Sequence, residues 1–196
     1  MGFGRVVCAR QCVTMSKLVF KFFSLPGYIV RRFKPADAAA LQGLYERCTD
    51  YHEMHEGFAT RPSAAADELA MLPPGRTLED KFSMGIYEPG GPLIGYLDIV
   101  RHYPATNEWW IGLLMLDPEA RAKGLGARLF RATWNWVLSQ DGKAIYLAVL
   151  EENIRAERFW RRQGFEEVRR QAHTSETGNK ISQVIVMKYL TAHERE

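Results

Sequence analysis

The residue pattern with the clearest chemical meaning is a glycine segment in the second half of the chain. An apolar, strand-like run stops at Asp117-Pro118, and Arg121-Ala-Lys-Gly-Leu-Gly126 follows it, directly before a long amphipathic helix pattern. Glycines at the start of a helix let a ligand approach the backbone closely, and the first helical amides have no partner within the helix. Because these amides and the positive end of the helix dipole attract phosphate, the segment predicts a diphosphate cradle.

Two basic side chains belong to this segment. Arg121 and Lys123 are expected to add mobile positive charge beside the cradle. A glycine pair alone also occurs at strand-to-helix turns for steric reasons only. The identity of the ligand therefore depends on the elements around the segment.

Length and composition are those of one globular domain. The chain has 196 residues, of which 46% are apolar and 25% charged, and this suits one domain with an ordinary core. The net charge of +3 comes from dispersed basic residues, so nucleic-acid binding gains no support. No apolar run approaches the ~18 residues of a membrane span. Three cysteines do not make a disulfide framework, and we expect a cytoplasmic protein.

The two ends of the chain differ from its middle. Residues 1–27 contain basic but no acidic side chains and only short apolar runs. We expect a flexible N-terminal extension there, and Met15 is an alternative start. The predicted domain covers residues 28–190, and residues 191–196 are predicted to be a C-terminal tail.

The order of elements indicates a single α+β domain. Residues 49–60 are predicted to be a polar segment between the first two helices. Segment 109–116 is almost wholly apolar, which is typical of a strand buried on both faces. The predicted strands are 28–33, 81–88, 93–103, 109–116, 144–150, 165–175 and 180–190, and the predicted helices are 35–48, 63–72, one after the glycines, and 153–163. This order predicts a mixed sheet of about seven strands flanked by helices.

Two motifs, spaced about a predicted strand, carry a resemblance to a known family. One is Arg121-Ala-Lys-Gly-Leu-Gly126, and the other is Asn153-Ile-Arg-Ala-Glu-Arg-Phe-Trp-Arg-Arg-Gln-Gly-Phe165. With them the chain resembles, from Tyr28 to Leu190, the GNAT superfamily of acetyl-CoA-dependent N-acetyltransferases. More narrowly, Trp109-Trp-Ile-Gly-Leu-Leu114 and nearby segments are similar to a bacterial subgroup whose acceptors are mostly unassigned.

The resemblance implies a particular cofactor slot. In this fold the central parallel strands, here 109–116 and 144–150, splay apart and admit the pantetheine arm. Leu114 and Leu116 would then make main-chain contacts to pantetheine, which satisfies backbone groups that the sheet leaves unpaired. The Leu114 amide would also polarise the thioester carbonyl, as in an oxyanion hole.

The same resemblance implies a set of cofactor-binding residues. Amides from Ala122 to Ala127 would hold the diphosphate of acetyl-CoA. Asn153 would flank the other side of the cofactor and also cap the helix that it opens. The implied set is Leu114, Leu116, Arg121, Ala122, Lys123, Gly124, Leu125, Gly126, Ala127, Asn153, Ala156, Phe159 and Trp160.

The implied reaction is direct attack of a primary amine on the thioester in a ternary complex. An amine of pKa ~10 is mostly protonated at neutral pH and must lose a proton. In the family a Glu on the strand often acts as base and a Tyr in the second motif often acts as acid. Here Trp110 and Trp160 occupy these positions, and indole is neither an acid nor a base near neutral pH.

Glu108 is the nearest substitute base. It lies two residues before Trp110, on the same strand face if no bulge intervenes, and a solvated strand-end carboxylate is the alternative. Tyr103, Asp98 and His52 are weaker candidates. A route through bulk water, without a dedicated base, also stays open because positioning and carbonyl polarisation supply much of the acceleration.

Residues 50–56 have several polar side chains of interest. His52 and His55 are three apart, whereas a zincin helix needs histidines four apart, and we expect no metal site. In the family this region commonly walls the acceptor site. Its acidic residues and Tyr51 would favour a cationic amine through charge and cation–π contact, and a solvated loop is the alternative.

The tryptophans are expected to lie mostly in the core, because large aromatic side chains supply much of the core area. Trp134 lies off the apolar face of its helix and would mark a partner surface, so a homodimer stays open. Trp110 and Trp160 together would line an apolar acceptor pocket.

The sequence thus predicts an N-acetyltransferase that uses acetyl-CoA and a small-molecule or peptide amine. A catalytically silent acyl-CoA-binding or sensing module is the alternative, because the cofactor motif is intact while the usual Glu and Tyr are absent. The acceptor, the preferred acyl chain and the oligomeric state are left open.

Overall fold

The computed structural model describes residues 23–175 and 177–190. The predictions of a flexible extension over residues 1–22 and of a tail over residues 191–196 lie outside these residues. Before the predicted domain start at Tyr28, the side chain of Leu25 is 3% exposed and belongs to the main apolar core. Phe23 also packs against Trp136, with ring centroids 6.2 Å apart.

The described residues form seven strands and five α-helices, with short 3-10 turns at 35–37 and 118–120. The strands are β1 (Ile29–Arg32), β2 (Lys81–Tyr87), β3 (Leu93–Arg101), β4 (Glu108–Leu116), β5 (Ala144–Leu150), β6 (Glu166–Thr174) and β7 (Ile181–Leu190). The helices are α1 (Ala38–Arg47), α2 (Thr49–Glu56), α3 (Ala64–Ala70), α4 (Leu125–Leu138) and α5 (Ile154–Gln163). Within this described part of the chain, no helix has both the length and the apolar composition needed to cross a bilayer.

All seven strands belong to one sheet. Their order is β1-β2-β3-β4-β5-β7-β6, and among these seven only β4 and β5 pair in parallel. This confirms the predicted α+β class with a mixed, seven-stranded sheet. Most predicted strand boundaries agree with the observed ones within two residues, because runs of β-branched, aromatic and leucine residues end at turn-forming residues.

Helices cover both faces of the sheet. On one face α4 and α5 pack into the main core, where Leu129 and Trp160 are buried. The predicted apolar face of α4 is confirmed, since Leu129, Thr133, Trp136 and Val137 are all buried. On the other face α1 and α3 form a second core that includes Leu41 and Leu44. The sheet therefore lies between two helical layers.

β4 departs from the prediction of a strand buried on both faces. Its side chains alternate, so that Trp109 and Ile111 are buried whereas Trp110 is only partly covered. Leu114 and Leu116 are also partly exposed. The apolar run was therefore not a sign of complete burial: part of this strand borders a cavity.

Residues 49–60, predicted to be a polar segment between two helices, consist mostly of the helix α2. Its buried side chains are the polar His52 and Glu56, four residues apart and therefore on one helix face. Gly57, with φ of 85°, ends the helix in the left-handed conformation that favours glycine. A helix that buries polar groups lacks the apolar periodicity by which helices are predicted.

Candidate active site

The two central strands separate part-way along their length. β4 and β5 pair in parallel from Glu108 and Ala144 to Ile111 and Leu147, and beyond this point β4 continues to pair only with β3. The predicted splay of the central strands is therefore present. Backbone groups on the open edges of the two strands need other hydrogen-bond partners, and an amide-rich ligand arm can supply them.

A bulge marks the point of separation. The register with β3 passes from Leu113 to Ile111, so Gly112 has no partner in β3. A Cβ atom on Gly112 would lie 2.8 Å from Oδ2 of Asp98. Asp98 is buried and accepts hydrogen bonds from Ser83 Oγ at 2.9 Å and Lys81 Nζ at 3.1 Å. Glycine therefore allows the bulge to lie against a fixed carboxylate.

The start of α4 has the geometry of the predicted diphosphate cradle. Gly124 precedes the helix with φ of 78°, and no side chain of the described residues caps the first turn. The first amides of an α-helix have no acceptor within it, so here they are available to an anion. A Cβ atom on Gly126 would lie 3.2 Å from Cζ of Phe159, and glycine thus lets α5 approach the first turn of α4.

Arg121 is held in place rather than mobile. Its guanidinium donates two hydrogen bonds to the carboxylate of Asp50 in α2, of which Nη2 to Oδ1 measures 3.1 Å, and its Nε donates to the Leu116 carbonyl at 2.8 Å. The hydrogen bond from Arg121 lowers the pKa of Asp50. The prediction that Arg121 adds mobile charge is therefore wrong, because α2 brings a carboxylate next to the cradle.

A cavity of about 520 Å³ connects the slot with the cradle. Its size is that of a small-ligand site. Among the predicted cofactor residues, those that line it are Leu114, Leu116, Arg121, Ala122, Gly124, Gly126, Ala127, Asn153, Ala156, Phe159 and Trp160. The side chain of Lys123 is exposed and that of Leu125 is buried in the main core, so neither side chain lines the cavity.

Other lining residues were not predicted. Asp50, Tyr51 and Met54 line the cavity from α2, in the region predicted to be a polar segment. Arg155 and Arg162 line it from α5, where a spacing of seven residues puts them on the same helix face. That spacing was the available signal for the two arginines.

Asn153 has the predicted capping role. Its Oδ1 accepts a hydrogen bond from the Ala156 amide at 3.0 Å, which satisfies one of the free donors of α5. Gly164 ends the helix with φ of 96°. Since Asn153 also lines the cavity, the cap fixes the wall of the slot opposite β4.

The arginines of α5 differ in their surroundings. Arg161 pairs with Glu157 at 2.8 Å and Glu167 at 2.9 Å. Arg155 and Arg162 are exposed, and neither has a carboxylate within 4.0 Å among residues 23–175 and 177–190. The two arginines that line the cavity therefore have no direct ion pair in this part of the chain, although Arg155 is near enough to Asp50 to help lower the pKa of that carboxyl.

Glu108, the predicted base, does not line the cavity. It starts β4, six residues or roughly 20 Å of strand before Leu114. Its Oε1 accepts hydrogen bonds from the Tyr146 hydroxyl at 3.0 Å and Lys188 Nζ at 3.3 Å. Trp110 stacks on the same tyrosine, with centroids 6.2 Å apart. The two residues share a strand face, as predicted, but that face lies outside the slot.

The weaker base candidates are dispersed. Tyr103 packs against Trp110 at 5.6 Å, at the end of β4 away from the slot. Asp98 lies in a buried ion pair with Lys81, and burial raises the pKa of its carboxyl. Trp160 is buried against Phe130 and lines the cavity, whereas Trp110 does not line it, so Trp110 and Trp160 do not form a common pocket.

His52 lies in a second, smaller chamber. This chamber has a volume of about 30 Å³ and is lined by α1, α2, α3 and Leu113 of β4, including Tyr45, Tyr51, His52, His55, Glu56 and Glu68. Burial lowers the pKa of His52 to about 4, so its imidazole is neutral at pH 7. No group of three or more His, Cys, Asp and Glu side chains in the described ranges is arranged to hold a metal ion.

Trp134, predicted at a partner surface, is partly buried. Its ring meets that of Tyr189 in β7 edge to face, with centroids 4.9 Å apart. It also packs against the main core. Its contacts within the chain account for its position, and the homodimer stays a prediction.

The sequence matches the Acetyltransferase (GNAT) family over residues 39–165. The chain belongs to the GNAT acetyltransferase family. The match covers both motifs, the splayed strands and α2. The protein is therefore an acyltransferase with the acyl-CoA-binding fold of the GNAT family. Comparison with the curated proteins finds no match.

Solved structures agree with the GNAT fold. An acetyltransferase from Thermus thermophilus has a TM-score of 0.66 at 18% identity, over 85% of this chain and 99% of that chain. Spermidine N-acetyltransferase from Vibrio cholerae, in complex with CoA and spermine, has a TM-score of 0.65 at 16% identity, over 87% and 99%. The ribosomal-protein-S18-alanine N-acetyltransferase from Escherichia coli has a TM-score of 0.61 at 15% identity, over 83% and 93%. These identities establish likeness of fold alone.

Proposed function

We propose that this protein transfers an acetyl group from acetyl-CoA to a primary amine by direct attack within a ternary complex. One observation carries the proposal: a single cavity runs from the open edge of β4 at Leu114 to the start of α4 at Gly124. The first part offers unpaired backbone groups and the second offers free amides. This is the combination that an amide-rich arm ending in a diphosphate requires.

The cofactor would be held mainly by the main chain. The amides between Ala122 and Ala127 would bind the diphosphate, and Leu114 and Leu116 would pair with the pantetheine arm. Asn153 supports the opposite wall through its cap on α5. Because these residues would bind the cofactor through backbone atoms, their side chains need only leave room for it.

The chemistry follows from the position of Leu114. The amine lone pair attacks the thioester carbonyl carbon, and a C–N bond forms while charge collects on the carbonyl oxygen. The Leu114 amide would donate a hydrogen bond to that oxygen. The C–S bond then breaks, the sulfur leaves as thiolate and takes up a proton, and the amine nitrogen loses one.

Proton removal in this proposal does not use Glu108. Holding the amine and the thioester together and polarising the carbonyl supply most of the acceleration. Water that enters the slot carries the proton from the attacking nitrogen to solvent. The missing Glu and Tyr thus lower the rate without removing the activity.

The proposal names the acceptor only by its chemical class. A small-molecule or peptide amine fits the reaction, as does a cytoplasmic location, where the free and buried Cys48 would stay reduced. GNAT membership favours this enzyme over a catalytically silent acyl-CoA-binding module, and the two interpretations differ in whether an amine is consumed.

The test combines binding and turnover. Titration calorimetry with acetyl-CoA should give one site per chain, and thiol release should then depend on an added primary amine. Acetyl-CoA binding without thiol release for any amine in a broad panel would favour the silent module. Absence of acetyl-CoA binding would refute both interpretations.

A further inference from the structure

The bulge at Gly112 exchanges the two faces of β4. Before the bulge, the side chain of Ile111 lies in the main core. A regular strand returns to the same face at every second residue, which would place Leu113 in that core. Instead Leu113 lies in the second core, and Leu114 packs against the main core. The one additional residue has therefore moved every later side chain of β4 to the other face.

The bulge also decides where the amides of β4 point. Successive residues of a strand direct their N–H groups to opposite edges of that strand. Because Ile111 and Leu114 have their side chains on one face, their amides point to the same edge. With regular alternation the Leu113 amide would have this direction, and the Leu114 amide would point to the opposite edge. The position of the bulge thus selects the amide that can reach a thioester in the slot.

The carboxylate of Asp98 fills the space beside the bulge. Asp98 pairs with Leu113 where the register shifts. A Cβ atom on Gly112 would have three nearest neighbours, all in Asp98: Oδ2 at 2.8 Å, Cγ at 3.7 Å and Cβ at 3.9 Å. The φ of Gly112 is not positive, so glycine is needed here for space rather than for its backbone conformation.

Two side chains of β2 hold this carboxylate in one orientation. Asp98 Oδ1 accepts a hydrogen bond at 2.9 Å from Oγ of Ser83, the residue opposite in β2, and lies 3.1 Å from Lys81 Nζ. Lys81 also donates to the Met71 carbonyl at 3.0 Å and lies 3.6 Å from Glu68 Oε1. Asp98, Lys81 and Ser83 are all buried. With Oδ1 fixed in this way, Oδ2 is fixed beside Gly112.

The fixed carboxylate allows the bulge at one position only. Gly112 is the only glycine between Glu108 and Leu116, so a bulge elsewhere in β4 would bring a Cβ atom against Asp98. A buried ion pair adds little stability compared with apolar side chains of similar volume, but it can specify one arrangement of the chain. The pair of Asp98 and Lys81 lies where such a choice of register is made.

We propose that Asp98 is a positioning residue: held by Lys81 and Ser83, it fixes the bulge at Gly112 and thereby directs the Leu114 amide toward the thioester carbonyl. The proposal rests on the proposed acetyl transfer, in which this amide polarises the carbonyl. Such a donor must lie about 2.7–3.1 Å from the developing oxyanion. A small shift of the bulge therefore weakens catalysis while the rest of the slot still binds the cofactor.

Three variants test the effect on turnover in the whole protein, with the amine that gives the fastest thiol release. Asp98→Ala and Gly112→Ala should each lower kcat at least about tenfold, because the donor is misaligned. The KM for acetyl-CoA should stay within about twofold, since the loss is confined to the transition state. Asp98→Asn has the same shape and still accepts from Ser83, so it should retain most of kcat.

Infrared spectroscopy of bound acetyl-CoA with a carbon-13 acetyl carbonyl measures the proposed hydrogen bond without any acceptor. Donation by the Leu114 amide lowers the carbonyl stretching frequency. The band should therefore lie at higher frequency in Asp98→Ala and Gly112→Ala than in the native protein, and at the native frequency in Asp98→Asn. A role of Asp98 in stability alone would change the melting temperature but not this band.

Asp80→Ala is the matched control. Asp80 pairs with Arg101 of β3 at 3.0 Å, away from the bulge, so this variant should change neither kcat nor the band. Melting temperature and acetyl-CoA affinity by calorimetry identify the variants that remain folded. If Asp98→Ala unfolds, Gly112→Ala still decides, because it disturbs the bulge and retains the ion pair.

The two proposals fail in different ways. If the native protein transfers acetyl but Asp98→Ala and Gly112→Ala leave kcat and the band unchanged, the positioning proposal alone is refuted. An equal loss of kcat in Asp98→Asn and Asp98→Ala, with the band unchanged in both, would assign the carboxylate to proton transfer instead. If acetyl-CoA binds and no amine releases thiol, the proposed function fails, and the positioning proposal fails with it.

Discussion

At the scale of single residues, the pair of Arg121 and Asp50 determines how much positive charge the cofactor cavity offers. The cradle contains Arg121, but the guanidinium of Arg121 already donates hydrogen bonds to the carboxylate of Asp50 in α2. If the cradle holds the diphosphate as proposed, the diphosphate must compete with Asp50 for Arg121 or bind to the helix amides alone. The proposed anion site therefore relies on the backbone of the cradle more than on Arg121.

Asp50→Asn should tighten CoA binding about threefold, because it removes a negative charge and frees Arg121. The effect is small since the Asp50 side chain is 57% exposed and exposed ion pairs are worth less than about 1 kcal/mol. Calorimetry at two salt concentrations measures it, and the gain should shrink at high salt. Weaker binding of CoA by the variant would mean that Asp50 is needed to position the cradle.

The two cavity-lining arginines of α5 predict recognition of the 3′-phosphate of CoA. Arg155→Ala with Arg162→Ala should weaken CoA binding about tenfold and leave dephospho-CoA binding nearly unchanged, because charge-assisted contacts to phosphate are lost. Arg158→Ala, on the same helix but outside the cavity lining, is the control. Equal loss for both ligands would assign the arginines to the diphosphate instead.

At the scale of elements, the contact between α4 and α5 sets the shape of the cradle. A Cβ atom on Gly126 would lie 3.2 Å from Cζ of Phe159 in α5, which is closer than ordinary van der Waals contact. Overpacking of this kind costs about 1–3 kcal/mol and displaces backbone. The helix start and the second motif, which are separate in sequence, therefore act as one unit.

Gly126→Ala should weaken acetyl-CoA binding at least tenfold, because the methyl group moves Phe159 or the first turn of α4. Gly43→Ala in α1 is a matched control, since its nearest contact would be an ordinary 3.7 Å to Arg47 Nη1. Calorimetry compares the two. Equal acetyl-CoA affinities would show that the close packing at Gly126 is unrelated to the cradle.

The sequence predicted best those elements whose apolar residues recur with the period of a strand or of an amphipathic helix. The strands and α4 follow such patterns, and the cap at Asn153 follows from residue type alone. α2 was missed because its buried side chains are His52 and Glu56. For Glu108 the strand period predicted the face of the sheet but not the distance from Leu114 along the strand.

At the scale of the whole molecule, α2 connects the larger cavity with the turn between β6 and β7. One end pairs through Asp50 with Arg121, and the other end accepts hydrogen bonds at Glu56 from Thr177 and at the Met54 carbonyl from Lys180. Such contacts join residues more than 70 positions apart, so no local pattern in the sequence predicts them. They make α2 the common wall of the two cavities.

Protonation of His52 should lower the stability of the whole domain in acid. Burial lowers its pKa to about 4 from an ordinary 6.5, so between these values the unfolded chain binds the additional proton. The free energy of unfolding therefore falls as pH falls through this window, by at most about 3 kcal/mol from this residue. Nearby Glu56 and Asp50, whose pKa values are also lowered, add to the loss.

Denaturant unfolding of the native protein and His52→Gln from pH 7 to pH 4 separates these contributions. The carboxylates are common to both proteins, so the stability advantage of the native protein should shrink as pH falls. Parallel curves would mean that His52 is protonated equally in the folded and unfolded states.

The most direct measurement of the proposed reaction is an initial-rate study of thiol release with acetyl-CoA and a primary amine both varied. Direct attack of the amine on a thioester held in the slot requires a ternary complex. Double-reciprocal lines should therefore intersect. Parallel lines would indicate an acetylated enzyme and contradict direct attack, and amine-independent thiol release would contradict acetyl transfer to an amine.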